Sequence, residues 1–330
     1  MKKAVVISCL AGVCLSAFVF FGCREDNGQK VKALKLAHGL DTAHPVHKAM
    51  EFMAQKVEEK SGGRLRVDIY PSEQLGSERE CIEQLQLGGL AMTKTSTAPM
   101  ESFVPAVKVL GLPYVFRDSE HYWKVLLGPI GKELLAAGES KGLKGLCFYD
   151  AGARSFYTTN KAINSPADLV GMKIRVQKSL IARKMIQAMG GSATPIDWGE
   201  LYTSLQQGVV DGAENNPPSF ETSLHYEICK YYCLDEHTRP PDMLLISTKK
   251  WNKLSPEFQD ILQQAADESV GYHSKLWSVK ESKSLAKVEE AGVKIIRPDK
   301  KAFREAVRPM WKEFEGTEIG ELAKRIEAVK

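Results

Sequence analysis

Apolar positions recur along this chain with two periods that take turns. Leu34 and Leu36 alternate with polar neighbours inside a first strand, Ala33–Ala37, which a His38-Gly39 loop follows. Val46, Ala49, Met50, Met53 and Val57 then fall three and four apart, which marks one face of a helix, and Ser61-Gly62-Gly63 stops it. Leu65, Val67 and Ile69 alternate with Arg64, Arg66 and Asp68 as a second strand. Ser77 and Glu80 make a capping box for a helix ending at Leu87, before a strand from Leu90 to Thr95. Strand and helix in strict turn predict an α/β sheet with parallel crossovers.

The style repeats further on. Ser165-Pro166-Ala167-Asp168 reads as a helix start. In the strand after it, Ile174 and Val176 face the core, so Lys173, Arg175 and Gln177 point the other way. Ser179 opens a helix carrying Ile181, Met185, Ile186 and Met189, and Trp198–Gln207 is another. Val209–Gly212 reads as a short strand, and Pro217-Pro218 opens a helix. An uninterrupted helical run goes from Ser255 to Glu290, about 35 residues and on the order of 50 Å. Val293–Ile296 is a strand, and one last amphipathic helix carries Phe303, Val307, Met310 and Trp311. No Pro/Gly/Ser linker cuts the chain into consecutive domains, and there is no tandem repeat. That fits lobes joined by several crossings, with a ligand cleft at the strand ends.

The first residues add a compartment. Lys2 and Lys3 precede an uncharged, mostly apolar run that ends at Gly22-Cys23, beyond which Arg24-Glu25-Asp26-Asn27 is polar. Residues 1–22 read as an export signal and 23–32 as a tether. Cys23 reads as a lipoprotein cysteine whose acyl chains hold the protein at a membrane surface. Phe20 and Phe21 depart from the usual small and aliphatic residues before such a site.

Charge and cysteines then exclude several classes. The formal net charge is +4, with no basic block, which argues against nucleic acid as a partner. Cys81, Cys147, Cys229 and Cys233 lack the paired spacing of a zinc site. Cys229 and Cys233 share a face if they lie on a helix, which leaves a disulfide or two buried thiols open. His44 and His47 have a metal-compatible spacing but no third ligand, so a solvated helix start is the plainer reading. Nucleophile-elbow, zinc-protease and phosphate-loop motifs are all missing, so the chain reads as no enzyme, with no cofactor.

Arg175 is the strongest candidate for ligand chemistry. A guanidinium offers a planar fork of donors that matches a carboxylate, and its charge does not titrate away. An arginine on an exposed strand face is the ordinary alternative.

Two stretches, Asn160-Lys-Ala-Ile-Asn-Ser-Pro-Ala-Asp-Leu-Val-Gly-Met-Lys-Ile-Arg-Val176 and Gly190–Pro217, closely resemble the signature of TRAP (tripartite ATP-independent periplasmic) transporter solute receptors. The resemblance covers Leu34 to about Phe314. It implies a two-lobed periplasmic-binding-protein fold with multiple interlobe crossings and a long helix spanning both lobes. On that pattern residues 33–152 and 240–278 make lobe I, and 153–239 and 279–330 make lobe II with the C-terminal helix. The family grips a ligand carboxylate with the arginine that matches Arg175 and hydrogen-bonds ligand with the Asn-Pro asparagine that matches Asn215. The extra Asn216 before Pro217 could share that job. Arg154, on an expected crossover loop, matches an arginine that also contacts ligand in sialic-acid receptors. Ser96 stands where those receptors have an acidic residue, which argues against sialic acid here.

His38 and Lys94 fall at cleft-facing strand ends, and His237 near a hinge crossing. Trp198 offers a flat face to a sugar ring, and Glu73 a hydroxyl acceptor. Glu101-Ser-Phe103, Asp118–Trp123 and Glu214–Phe220 are particularly similar to receptors for uronates such as glucuronate and galacturonate. The resemblance implies a monomeric periplasmic receptor that captures an organic acid and passes it to TRAP membrane permease subunits. Two rival readings are a receptor for a dicarboxylate or keto acid, with Arg154 on a second carboxylate, and a ligand-sensing periplasmic protein.

Overall fold

A computed structural model describes residues 31–330. The expected signal, Cys23 and most of the tether lie outside the described residues. From the start, the elements are β1 (Lys32–Ala37), α1 (Pro45–Ser61), β2 (Leu65–Tyr70), α2 (Glu78–Leu87), β3 (Met92–Ser96) and α3 (Thr97–Met100). A 3-10 stretch, Pro105–Gly111, leads to α4 (Ser119–Leu127), α5 (Pro129–Ala136), β4 (Leu143–Tyr149) and β5 (Arg154–Thr158). Then come β6 (Lys173–Val176), α6 (Leu180–Ala188), β7 (Ser192–Pro195), α7 (Trp198–Gln206), β8 (Gly212–Asn215) and α8 (Pro217–Thr222). Last are β9 (Tyr231–Thr238), β10 (Asp242–Ser247), α9 (Thr248–Trp251), α10 (Pro256–Glu290), β11 (Lys294–Ile296), α11 (Lys300–Lys312) and α12 (Glu318–Glu327).

Local chemistry explains where these elements stop and start. The Ser77–Glu80 capping box forms on α2, and Gly62 ends α1 in the left-handed region at φ 61°. Ser255 caps α10, with Pro256 in its first turn.

The strands make two sheets, ordered β2-β1-β3-β10-β4 and β11-β9-β5-β8-β6-β7. β1 is parallel to β2 and β3, and β6 is parallel to β7 and β8, as the strand–helix alternation predicts. Strand β10 is antiparallel to both its neighbours, and so is β5. The chain crosses between sheets at residues 150–153, again at 239–241, and a third time along α10.

The crossing helix joins two cores. Ile261, Leu262, Ala265 and Trp277 of α10 pack with α1 and β4 beneath the first sheet. Val288 packs with Tyr157, Leu201 and Phe220 of the second. Glu221 of α8 is bound by Lys280 and Lys287 of α10. A third apolar cluster holds Phe148 and Leu245 of the first sheet and Phe156 and Ile174 of the second, together with Val107, Leu110, Met185, Phe303 and Ile326, so one buried cluster spans both sheets. Nothing among the described residues is a helix long and apolar enough to cross a membrane.

Several local expectations shift. The strand expected at Val209–Gly212 instead runs from Gly212 to Asn215, because Gly208, at φ 69°, turns the chain after α7 and delays the sheet. Ser165–Asp168 does form a capping box, but on a single 3-10 turn, Pro166–Leu169. Arg154 is not in a loop; it opens β5 and pairs with Thr238. A second C-terminal helix, α12, follows α11 after Gly316 at φ 72°, and Thr317 caps it. It lies against the 3-10 stretch Pro105–Gly111. Cys229 and Cys233 share no helix, since Cys233 lies in β9; all four described cysteines are buried free thiols.

Candidate functional site

Strand β6 delivers Arg175 to the side of its sheet that faces the other lobe. Register holds it between Thr194 of β7 and Ala213 of β8, near the carboxyl ends of β6 and β7. Its side chain is 98 % removed from solvent, since the residue is only 2 % exposed. Nε donates to the Ile196 carbonyl at 2.8 Å, and the guanidinium stands 5.7 Å from the Trp198 ring centroid. Nη1 is buried with no hydrogen-bond partner, and among the described residues Arg175 makes no ion pair. Burial pulls its pKa below the ordinary arginine value, opposed by Tyr157 and Glu214. A buried donor without a partner is costly, and an unpaired buried charge more so.

Arg154 is in the opposite condition. Its Nε and Nη2 grip the Glu214 carboxylate, Nη2 also donates to the Glu214 carbonyl at 2.6 Å, and Nη1 donates to Asn215 Oδ1 at 2.8 Å. Behind Glu214 stands His237, 3.5 Å away, and His237 Nδ1 meets Asp235 Oδ2 at 2.8 Å. Burial alone would raise the Glu214 carboxyl, but Arg154 and His237 hold it at about 2. Burial alone would lower His237, but Asp235 and Glu214 raise it to about 9. The four side chains form a linear alternation of cation and anion, Arg154, Glu214, His237 and Asp235.

Lys94 lies mid-strand in β3, fully enclosed, 3.3 Å from Glu78 Oε1 and 3.2 Å from Asp242 Oδ2. Burial would lower its pKa, yet these two carboxylates raise it. Glu78 also accepts from the Ser96 amide at 3.0 Å, and Ser96 Oγ donates to Gln177 Oε1 of the other lobe at 3.3 Å.

The structure brings Lys94, Arg154, Asn215, Asn216 and Trp198 around one interlobe cavity of about 40 Å3. Arg175 and Glu73 line a second, of about 20 Å3, and Trp198 borders both. A larger groove of about 610 Å3 lies elsewhere, between α4, α5, β4 and α10, and is mostly apolar. His38 turns away from the cavities to His47, at 2.9 Å, and burial beside Lys94 holds it down at about 2. His237 reaches the site only through Glu214. Asn216 caps α8, its Oδ1 accepting from the Ser219 amide at 2.7 Å.

The solvated reading of His44 and His47 fails. His44 caps α1 and meets Ser219 Oγ across the cleft at 3.2 Å, and both residues are buried. Glu78 and Asp242 escape the sequence reading. Glu78 passes for a first-turn helix acid, and Asp242 sits in a strand whose antiparallel insertion no local pattern announces.

Two lobes around a polar cleft, one buried cation left unpaired within it and a helix bridging both halves define a class: receptors that hold a small anion between two bodies. The chain belongs to the bacterial extracellular solute-binding protein family 7, whose model matches residues 36–317. It is 39 % identical over 313 residues, 94 % of each chain, to the uncharacterised protein YiiZ of Salmonella typhimurium. A TRAP periplasmic solute-binding protein of Bradyrhizobium sp. BTAi1, solved in complex with α/β-D-galacturonate, matches at 43 % identity and TM-score 0.87, covering 90 % of this chain and 99 % of that one. One from Pseudomonas putida F1 with bound D-glucuronate matches at 38 % and 0.87, covering 90 % and 97 %.

Proposed function

We propose that this protein is the extracytoplasmic receptor of a TRAP transporter and that it captures a uronate of the galacturonate or glucuronate type. The observation that carries the reading is the buried, unpaired guanidinium of Arg175. A ligand carboxylate supplies the missing partner, and the Trp198 face and Ile196 carbonyl fix the fork's orientation. Asn215 spends its Oδ1 on Arg154 and Asn216, which leaves Nδ2 to donate to a ring oxygen. Glu78 and Asp242 share one ammonium, so acceptor capacity remains for sugar hydroxyls.

The rival dicarboxylate reading needs Arg154 to take a second carboxylate. Glu214 already occupies that fork, and a second anion would meet Glu78 and Asp242. The bound uronates in similar receptors support the same choice.

The cavities are far smaller than the ~300 Å3 of ordinary ligand pockets. Entry therefore requires the lobes, residues 33–152 with 240–278 and 153–239 with 279–330, to part and close again. A ligand drives closure only by its preference for the closed form. The receptor works in the periplasm, on acyl chains carried by Cys23, and delivers to the membrane permease subunits. Cys23→Ala should move it from the membrane fraction to the soluble one.

Calorimetry with D-galacturonate, D-glucuronate and succinate tests the ligand class. Uronate binding by wild type, lost by about 2–5 kcal/mol in Arg175→Ala, is expected. Succinate as the only ligand, or unchanged affinity in Arg175→Ala, would overturn the reading.

A further inference from the structure

One interlobe contact involves no residue of the carboxylate grip. Glu73, in the loop between β2 and α2, reaches across the cleft, and its Oε2 accepts from the backbone amide of Gly199 at 3.1 Å. Gly199 is the second residue of α7, so this amide is one of the donors a helix leaves unsatisfied at its start. The fit is tight. A Cβ on Gly199 would stand 2.5 Å from Glu73 Oε2. On its own side, Ser72 and Glu73 both sit in the left-handed region, at φ 52° and 57°, which costs non-glycine residues free energy. Glu73 Oε1 is buried without a partner.

We propose that Glu73 and Gly199 form a closure latch: the carboxyl of the first lobe docks on the start of α7 only when the lobes meet, and so sets how long ligand is held. The proposal rests on the reading that the receptor closes around a uronate. Glu73 acts here as a positioning residue, through Gly199, and not as a sugar contact.

The latch has a proton dependence. Glu78 and Arg79 of α2, Arg175 and Lys178 at and after β6, and Asp197 before α7 surround the same cavity. Burial, then Glu78 and Asp197, push the Glu73 carboxyl from 4.5 up to about 7, against the Gly199 amide and Arg175. With the lobes apart, the ordinary value near 4.5 applies. Closure therefore takes up a proton between these values. The contribution is fully present below 4.5 and is lost as pH rises through about 7.

Stopped-flow and equilibrium binding of D-galacturonate and D-glucuronate to the purified receptor, from pH 5 to 8.5, test this. Wild-type affinity is expected to weaken at least about tenfold between pH 5 and 7.5, since each unit of proton linkage is tenfold. E73Q, which cannot ionise, flattens that profile. At pH 5.5, E73A and G199A each raise the dissociation rate about tenfold, the loss expected for one hydrogen bond, and the double variant is no worse than either alone. A wild-type pH slope in E73Q, or additive losses in the double variant, would overturn the latch while leaving the receptor reading intact. A wild type that binds neither uronate would overturn both. Should G199A fail to fold, the E73Q profile decides alone.

Discussion

At the scale of single residues, the two arginines of the cleft show why identity alone does not assign a role. Arg154 and Arg175 are both enclosed, yet one is saturated by Glu214 and the other has a bare Nη1. The strand pattern made Arg175 legible, because Ile174 and Val176 take the core and force it toward the cleft. It could not show that Arg154 is spent, because Glu214 lies 60 residues away and meets it only through β5–β8 pairing. The network behind Arg154 should govern stability against pH. Glu214, held at about 2 against an ordinary 4.5, contributes fully above 4.5, and its share is lost as pH falls toward 2. His237, raised from 6.5 to about 9, contributes fully below 6.5, and its share is lost as pH rises through 9. The melting temperature of wild type should therefore peak between about pH 4.5 and 6.5. His237→Gln should melt lower but lose the alkaline decline, which scanning calorimetry at pH 6 and 9 would read. On the proposed reading Asp242 bears on specificity instead. Asp242→Asn leaves Lys94 paired one to one with Glu78, and the preference for galacturonate over succinate should narrow about tenfold, or ~1.4 kcal/mol.

Among elements, the helices announced themselves best. The apolar stripe of α1, the capping box of α2 and the full length of α10 all follow from signals within a few residues. Strands β8 and β10 did not, since their places depend on partners far along the chain. Crossings are subtler still. Gly152, at φ 60°, lies in the first one, and a Cβ there would stand 2.7 Å from Trp277 Cζ2 of α10. The crossing is thus pressed against the bridging helix by a residue with no side chain. Gly152→Ala should destabilise the protein by about 1–3 kcal/mol, from backbone strain and overpacking together. Urea denaturation would show it, and an unchanged midpoint would mean that Trp277 moves aside freely.

The whole molecule is organised as two sheets that meet at a polar cleft, the plan that the proposed closure would use. Each sheet has a core of its own, a further apolar cluster spans both, and a single helix joins the two halves. Sequence reasoning reached the two-lobed plan, and most of the candidate residues it named line the two interlobe cavities. It mistook His44 for a solvated residue because its partners, Ser219 across the cleft and Trp277 of α10, lie far along the chain. Addition of galacturonate should make the receptor more compact by small-angle scattering and raise its melting temperature, by roughly 2.7 kcal/mol of stabilisation at 100-fold excess over the dissociation constant.

Under the proposed function, the bare Nη1 of Arg175 bears on traffic at the membrane. A receptor that shut without cargo would visit the permease for nothing and block loaded copies. On the proposed reading, an uncompensated cation makes that empty shape expensive and would act as an interlock against false delivery. Arg175→Met removes the interlock along with the grip. Such a variant should adopt the compact shape with no uronate present, and, mixed with wild type in transport assays, should slow uptake as a decoy.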